Sequence, residues 1–284
     1  VTPEVGFEYL LEKYHIDPDH LVISKEINGK SFTDIGYSQL ALGGLTNGVT
    51  TLDMAGAYSV FPRNGVYIQP RTYSRVVDAN NKELLSRSTE GEPVLKEKTV
   101  YYINEMLKGV VRSGSGTAAA LSNMTVAGKT GSTTSNNDRW FVGYTPYYTA
   151  AVWVGYSRPE RVRVSGSNPA AVLWNKVMSQ VHADLPYKDF PQPEGLVSVE
   201  YCLDTGLLAT DECRSDMRGS RVATGYLFPE DVPTARCEAH TMVEVCTLDP
   251  MLNDEGEPTG RYHLAGEFCT ETVIDEATGE EKPC

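Results

Sequence analysis

The sequence predicts an α+β fold: an antiparallel sheet flanked by helices, followed by a small disulfide-rich tail. Three observations carry that expectation. Residues 123–132, 139–146 and 148–156 are runs of aromatic and β-branched residues broken by turn formers, which read as an antiparallel meander. Several other segments carry apolar residues at helical spacing. All six cysteines, Cys202, Cys213, Cys237, Cys246, Cys269 and Cys284, fall in the polar C-terminal part.

Taken in order, Thr2-Pro3-Glu4 is a helix start: a hydroxyl cap, a proline in the first turn and a carboxylate near the dipole's positive end. Val5, Tyr9, Leu10 and Leu11 give that helix an apolar stripe through Tyr14, and Asp17-Pro18-Asp19 stops it. Residues 25–35 carry no clear period and read as loop. Thr50 caps a second helix, and Asp53 completes a capping-box-like pair. Leu52, Met54, Ala55, Tyr58 and Val60 form its buried face, which ends at Pro62-Arg-Asn-Gly65. Residues 66–69 and 73–77 look like a hairpin pair with Pro70 between them. Thr99 opens a third helix, with Val100, Ile103, Met106, Leu107 and Val110 at helical spacing before Gly114 and Gly116.

After the meander, Asn168-Pro169 is a second cap-plus-proline start. Val172, Leu173, Trp174, Val177, Met178 and Val181 make a broad stripe for a helix lying across a sheet. The organisation that follows is a domain over 1–183, a linker over 184–198 and an acidic, cysteine-rich tail over 199–284. Residues 199–204 and 243–249 look like two copies of one strand-and-cysteine unit.

Charge divides the chain at the same place. Residues 1–182 hold 18 Lys and Arg against 16 Asp and Glu, a balance of +2; residues 183–284 hold 7 against 22, a balance of −15 within the total of −13. Nothing here would neutralise phosphates, so nucleic acid is not an expected partner. No apolar run approaches the roughly 20 residues that span a bilayer, and no signal peptide is found. The first residue is Val1, so the chain reads as the downstream part of a longer exported protein, held at a membrane only through an upstream anchor.

An even cysteine count in such a segment predicts disulfides and an oxidising location. Cys202 and Cys213 enclose a short loop with a turn at Asp204-Thr-Gly206, and the expected bond is Cys202–Cys213. Closing that loop stabilises the tail by roughly 3 kcal/mol in the chain-entropy model. The rival reading is a metal site from Cys237, His240 and Cys246. It has one histidine at ligand spacing and no Cys-x-x-Cys pair, so no metal and no cofactor are expected.

The chemistry concentrates at Lys129-Thr130-Gly131-Ser132, where the first strand of the meander ends. Lys129 supplies a fixed cation. Thr130 and Ser132 put hydroxyls on one side of an extended chain, because side chains alternate with period 2. Gly131 lets another backbone come close. Together they suit a peptide that ends in a carboxylate and lies along a strand edge.

Here the sequence resembles a known family. Residues 126–132 (Val-Ala-Gly-Lys-Thr-Gly-Ser), 138–146 (Asp-Arg-Trp-Phe-Val-Gly-Tyr-Thr-Pro) and 151–156 are similar to the transpeptidase domain of penicillin-binding proteins, of the bifunctional class A type. Leu40-Ala-Leu-Gly-Gly, residues 48–58 and Ser115-Gly-Thr-Ala-Ala119 match the same family. The likeness covers residues 1–182 and, more loosely, the start of the tail. It implies part of a β-lactamase/transpeptidase-like domain.

The resemblance also implies an activity and roles for residues. Family members use Ser-x-x-Lys for the nucleophile, Ser-x-Asn for proton relay and Lys-Thr-Gly for the substrate carboxylate. A serine attacks the D-Ala-D-Ala bond of a peptidoglycan stem peptide, releases the last alanine, and the acyl group passes to an amine on a neighbouring strand; β-lactams trap the acyl state. By this likeness Lys129 and Ser132 are the catalytic residues. Lys129 tunes the relay serine and anchors the anion, and the Ser132 N–H is half of the oxyanion hole. Lys129, Thr130, Gly131 and Ser132 together bind substrate.

This chain departs from the pattern in two places. None of its lysines has a serine three residues before it, and Ser135-Asn136-Asn137 follows Lys-Thr-Gly where the family's Ser-x-Asn precedes it, so it reads as a loop. Ser115, between two glycines, has no neighbouring base to activate it. The expectation is therefore the substrate-binding half of a site, inactive alone, whose partners are the N-terminal part of the same protein, the stem peptide and β-lactams, at the outer face of the cell membrane or in the wall. The alternative is a non-catalytic exported module that binds wall peptide or another protein.

Overall fold

The computed structural model describes residues 2–242, 245–264, 272–274 and 278–283. The chain divides into two units, Val1–Glu194 and Gly195–Cys284.

In the first unit, α1 (Pro3–Glu12) begins on its proline as the sequence predicts. Its inward face is Phe7 with Leu10 and Leu11, packed around Ile16 and Leu21, while Val5 and Tyr9 lie outward. The helical period allows either stripe, and the stripe holding the phenyl ring buries more apolar area. Residues 25–35 contain a hairpin where a loop was expected: β1 (Lys25–Ile27) pairs with β2 (Lys30–Phe32). Asn28 and Gly29 have φ of 51° and 72°, the left-handed pair a two-residue hairpin turn requires. Both strands are exposed throughout, so no alternation marks them and the Asn-Gly dipeptide is the only local signal.

The buried carboxylate of Asp34 ties the next segments together, accepting from the Val22 N–H at 2.8 Å and from the N–H and hydroxyl of Thr46 at 2.7 Å each. α2 (Tyr37–Leu42) ends on Gly43. α3 (Thr51–Tyr58) has the expected capping box: Thr50 Oγ1 accepts from the Asp53 N–H at 3.1 Å and Asp53 Oδ2 from the Thr50 N–H at 2.9 Å. Leu52, expected on its buried face, is exposed.

The predicted 66–69/73–77 hairpin does not form. β3 (Val66–Tyr67) and β4 (Arg75–Val77) take other partners: β4 pairs with β5 (Glu83–Ser86), and β3 with β6 (Glu92–Pro93). Asp78 Oδ1 accepts from the N–H groups of Asn80 and Lys82, which closes β4 on β5 through a local turn. The Gly65 carbonyl accepts from Val94 and Leu95, which draws the 92–95 segment to β3. α4 (Glu97–Ser113) buries Val100, Tyr101, Asn104 and Val111 and turns Met106 to solvent.

The meander forms as predicted: β7 (Ala127–Ser132), β8 (Arg139–Tyr144) and β9 (Thr149–Val154) make one antiparallel sheet in the order β7-β8-β9. α5 (Pro169–Val181) crosses it, started by Asn168, whose Oδ1 accepts from the Ala170 N–H at 2.9 Å. Trp174 is fully buried edge-on to Phe141, with ring centroids 5.4 Å apart, and its Nε1 donates to the Ala150 carbonyl at 3.1 Å. Ala170, Ala171, Met178, Val111, Ala119 and Val126 complete this core. Gly143 permits it: a Cβ there would stand 2.5 Å from Phe141 Cε1 and 3.0 Å from Trp174 Cε2.

In the second unit, β10 (Val197–Cys202) leads through the short α6 (Asp211–Arg214) to its antiparallel partner β11 (Val222–Leu227). β12 (Val245–Leu252) instead pairs with the strand that follows it, β13 (Pro258–Leu264), and β14 (Thr272–Ile274) pairs with β15 (Glu281–Pro283). The two stretches read as copies, residues 199–204 and 243–249, are therefore built differently in their described parts. Cys269 and Cys284 lie outside the described residues. Among the described residues no helix is long and apolar enough to cross a membrane.

Candidate functional site

Residues 129–132 lie on β7, an edge strand of the three-stranded sheet among the described residues. Gly128 and Gly131 let the strand press against β8. A Cβ at Gly128 would meet Phe141 Cζ at 2.6 Å and the Val142 carbonyl at 2.8 Å. At Gly131 the nearest atom would be Trp140 Cβ at 3.1 Å. Valine or leucine at Gly128 would force the two strands apart, and at Gly131 would crowd Trp140.

The register places Ser132 opposite Arg139, Thr130 opposite Phe141 and Lys129 opposite Val142. Thr130 and Ser132 thus share a face, and Lys129 projects on the other. Lys129 is exposed, and its Nζ donates to the Thr130 carbonyl at 3.0 Å. Each hydroxyl has a companion that sequence reasoning did not supply. Ser115 Oγ lies 2.7 Å from Thr130 Oγ1, and Arg139 Nη1 donates to Ser132 Oγ at 3.0 Å. Because Ser132 Oγ accepts from a guanidinium, its own proton is free to donate. Arg139 Nε is buried without a partner. The signal for Arg139 was the length of the β7–β8 turn, which sets the register. Ser115 is brought in by the end of α4 and has no sequence signal. Ser115 is exposed and its side chain meets a hydroxyl rather than a base among the described residues.

Residues 133–138 form the connecting turn, with Asn136 at φ 56° and its N–H bonded to the Thr133 carbonyl at 2.8 Å, so Ser135-Asn136-Asn137 is a loop as expected. Behind the strand, Tyr144 is fully buried against Phe61 and Phe190 and donates to Asn104 Oδ1 at 2.6 Å. Burial pushes its phenol far above the usual tyrosine value. The arrangement presents, on a rigid sheet edge, one cation, two hydroxyls and a glycine-thinned backbone. Such a set can hold an extended peptide and its carboxylate.

The expected Cys202–Cys213 disulfide is not present: both sulfurs are free thiols, as is Cys237. Cys213 sits in the first turn of α6, where its Sγ accepts from the Thr210 N–H at 3.5 Å, and it faces the same interior as Cys237 and His240. A third sulfur and an imidazole thus compete for the place a loop-closing bond would take. The ligating atoms of Cys202, Cys213, Cys237 and His240 all lie within 4.8 Å of one another. Cys246, part of the metal set weighed from sequence, is outside that group.

Comparison with known proteins identifies the family of both parts of the chain. The penicillin-binding protein transpeptidase domain matches residues 4–179, and the C-terminal domain of penicillin-binding protein 1A matches residues 192–242. Penicillin-binding protein 1A of Clostridium perfringens is 38% identical over 221 residues, 75% of this chain and 27% of that protein. The Clostridium novyi protein of the same name is 38% identical over 238 residues, 83% of this chain and 26% of that one. The chain thus spans about a quarter of the length of these relatives. Among solved structures, penicillin-binding protein 1A from Haemophilus influenzae superimposes with a TM-score of 0.54 over 83% of this chain and 39% of its own, at 17% identity, a likeness of fold. PonA1 from Mycobacterium tuberculosis, solved in complex with penicillin V, gives a TM-score of 0.50 and 26% identity over 60% of this chain and 47% of its own.

Proposed function

This chain belongs to the penicillin-binding protein transpeptidase family, and from that premise we propose that it forms the substrate-binding half of a class A peptidoglycan D,D-transpeptidase acting outside the cytoplasmic membrane. The observation that carries the proposal is β7, with Lys129, Thr130, Gly131 and Ser132 along an open sheet edge. A stem peptide ending in D-Ala-D-Ala lies along that edge, and a β-lactam takes the same place; the similar PonA1 protein was solved in complex with penicillin V. Ser132 Oγ, polarised by Arg139, donates to the terminal carboxylate; Lys129 supplies the opposing charge. Thr130 is held in rotamer by Ser115. The Ser132 N–H supports the oxyanion, where loss of one donor costs about 3 kcal/mol in well-studied hydrolases.

The nucleophile comes from a segment of the protein outside these residues, since no Ser-x-x-Lys occurs within them. Its hydroxyl attacks the penultimate carbonyl, the last D-alanine leaves as the amine, and the ester passes its acyl group to an amine of a second strand. Two measurements test this. The chain alone is expected to give no boiling-resistant band with fluorescent penicillin, and a labelled band overturns the assignment of the nucleophile. In the protein carrying its preceding segment, Lys129→Ala is expected to slow acylation by more than about tenfold, with the fold intact, because Lys129 packs against little. Acylation within about twofold of the parent would refute the electrostatic role.

A further inference from the structure

The second unit gathers three thiols and an imidazole from segments far apart in the chain: Cys202 at the end of β10, Cys213 in α6, and Cys237 and His240 after β11. We propose that Cys202, Cys213, Cys237 and His240 bind one zinc ion in a closed, tetrahedral structural site. The proposal stands on the second unit alone and is independent of the reading of β7.

Distances come first. His240 Nδ1 lies 3.5 Å from Cys202 Sγ and 3.3 Å from Cys237 Sγ. A tetrahedron with zinc–sulfur arms of ~2.3 Å and zinc–nitrogen arms of ~2.0 Å has edges of roughly 3.5–3.8 Å. Those two edges are therefore already at the size the ion requires, and the widest separation in the set, at most 4.8 Å, needs a side-chain adjustment on the order of 1 Å.

The orientation of His240 is the second observation. Its Nδ1 faces the sulfurs, and its Nε2 faces Asp204 Oδ2 at 3.1 Å and Asp216 Oδ2 at 3.2 Å. A ligating histidine characteristically gives its other ring N–H to a carboxylate, which fixes the tautomer and makes the ligand nitrogen more basic. The carboxylates are held in turn: Arg221 and Arg218 bond Asp204, and Arg218 bonds Asp216. Their charge is thus matched, and Asp204, Asp216 and His240 act as the outer shell of the thiol site.

Two of the sulfurs accept backbone hydrogen bonds, as ligand thiolates do in the bound state. Cys202 Sγ accepts from the Asp204 N–H at 3.4 Å, and Cys213 Sγ from the Thr210 N–H at 3.5 Å. These three sulfurs cannot all pair with one another, whereas a metal uses all three and the imidazole. Three thiolates and one nitrogen in a closed tetrahedron select zinc; iron–sulfur clusters take four thiolates, and harder cations take oxygen. One buried cluster of this unit consists of these three cysteines with Ala209 and Val222 packed on them, so an ion there cross-links its interior.

The test uses the whole chain, purified reduced with zinc in the medium. Elemental analysis is expected to find about one equivalent of zinc per chain. Cobalt replacing it is expected to show intense thiolate-to-cobalt charge transfer and the strong visible bands of a tetrahedral ion, a readout that needs no variant. Cys213→Ser and His240→Ala are expected to lose the metal, and Cys246→Ser to keep it. Asp204→Asn, which leaves all four ligands, is expected to weaken zinc by about 10- to 100-fold. The proposal is overturned by protein that takes up no zinc with its thiols reduced, by cobalt bound without thiolate charge transfer, by zinc retained in Cys213→Ser, or by a disulfide joining any two of the three cysteines in zinc-replete protein.

Discussion

The two units are held together by different physics. In the first, Trp174, Phe141 and Tyr144 are fully buried between a sheet and its helices, and the reactive side chains stand outside that core on the edge strand. In the second, a buried cluster is itself made of reactive groups: three thiols, with His240 and a ring of Asp and Arg beside them. A domain with enough apolar area can keep its chemistry at the rim, on a scaffold that does not depend on it. A small acidic unit lacking that area has to build its interior from groups that bind or cross-link.

Chelation should separate the two most sharply. Structural zinc in small modules contributes on the order of 10 kcal/mol, more than any one side chain. A strong chelator under reducing conditions is expected to abolish the thermal transition of the second unit and make Cys202, Cys213 and Cys237 alkylate readily, with the first unit's transition unmoved. If both transitions shift together, the contrast fails.

Trp174→Ala addresses the other side. Removing a fully buried indole and its bond to Ala150 should cost the first unit about 3–5 kcal/mol. Denaturant melts should show its midpoint fall at unchanged zinc content. A loss under about 1 kcal/mol would mean that α5 is not what closes this core.

Alkali offers a smaller, graded test. Burial pushes Tyr14 from its ordinary 10.0 up to about 12, and raises Tyr58, Tyr67 and Tyr144 as well, all in the first unit. The folded pKa values lie above the unfolded ones, so this stabilisation is full below pH 10 and is lost as pH climbs through the folded values. Phenolate absorbance and loss of the first unit's structure are expected to rise together above about pH 10. A first unit whose melting temperature is flat from about pH 9 to 12 would contradict the burial of these phenols.

Much of this was legible in the residues themselves. The capping box at Thr50 and Asp53, the Asn168-Pro169 start, the three-strand meander and the Lys129 strand follow from signals within a few residues, and local hydrogen bonds and side-chain periodicity are settled at that range. The segregation of all six cysteines and of the acidic charge into the tail is composition alone. The sequence therefore determined where several of the elements lie, which strand carries the candidate site, and that the tail differs in kind.

Tertiary structure decided what depends on distant partners. Helical periodicity left two stripes open in α1, and only the packing of Phe7 on Ile16 and Leu21 chose between them. β3 went to β6 because the Gly65 carbonyl meets Val94 and Leu95, a pairing no local pattern encodes. Arg139 and Ser115 came to the two site hydroxyls through strand register and the end of α4. The cysteines show the limit most plainly. Cys202 and Cys213 enclose a loop that could be closed by a disulfide, but the choice between a bond and a ligand set rests on where a third sulfur and an imidazole arrive in space. Cys237 and His240 follow β11, which pairs with β10, and pairing across that span is a property of the folded chain.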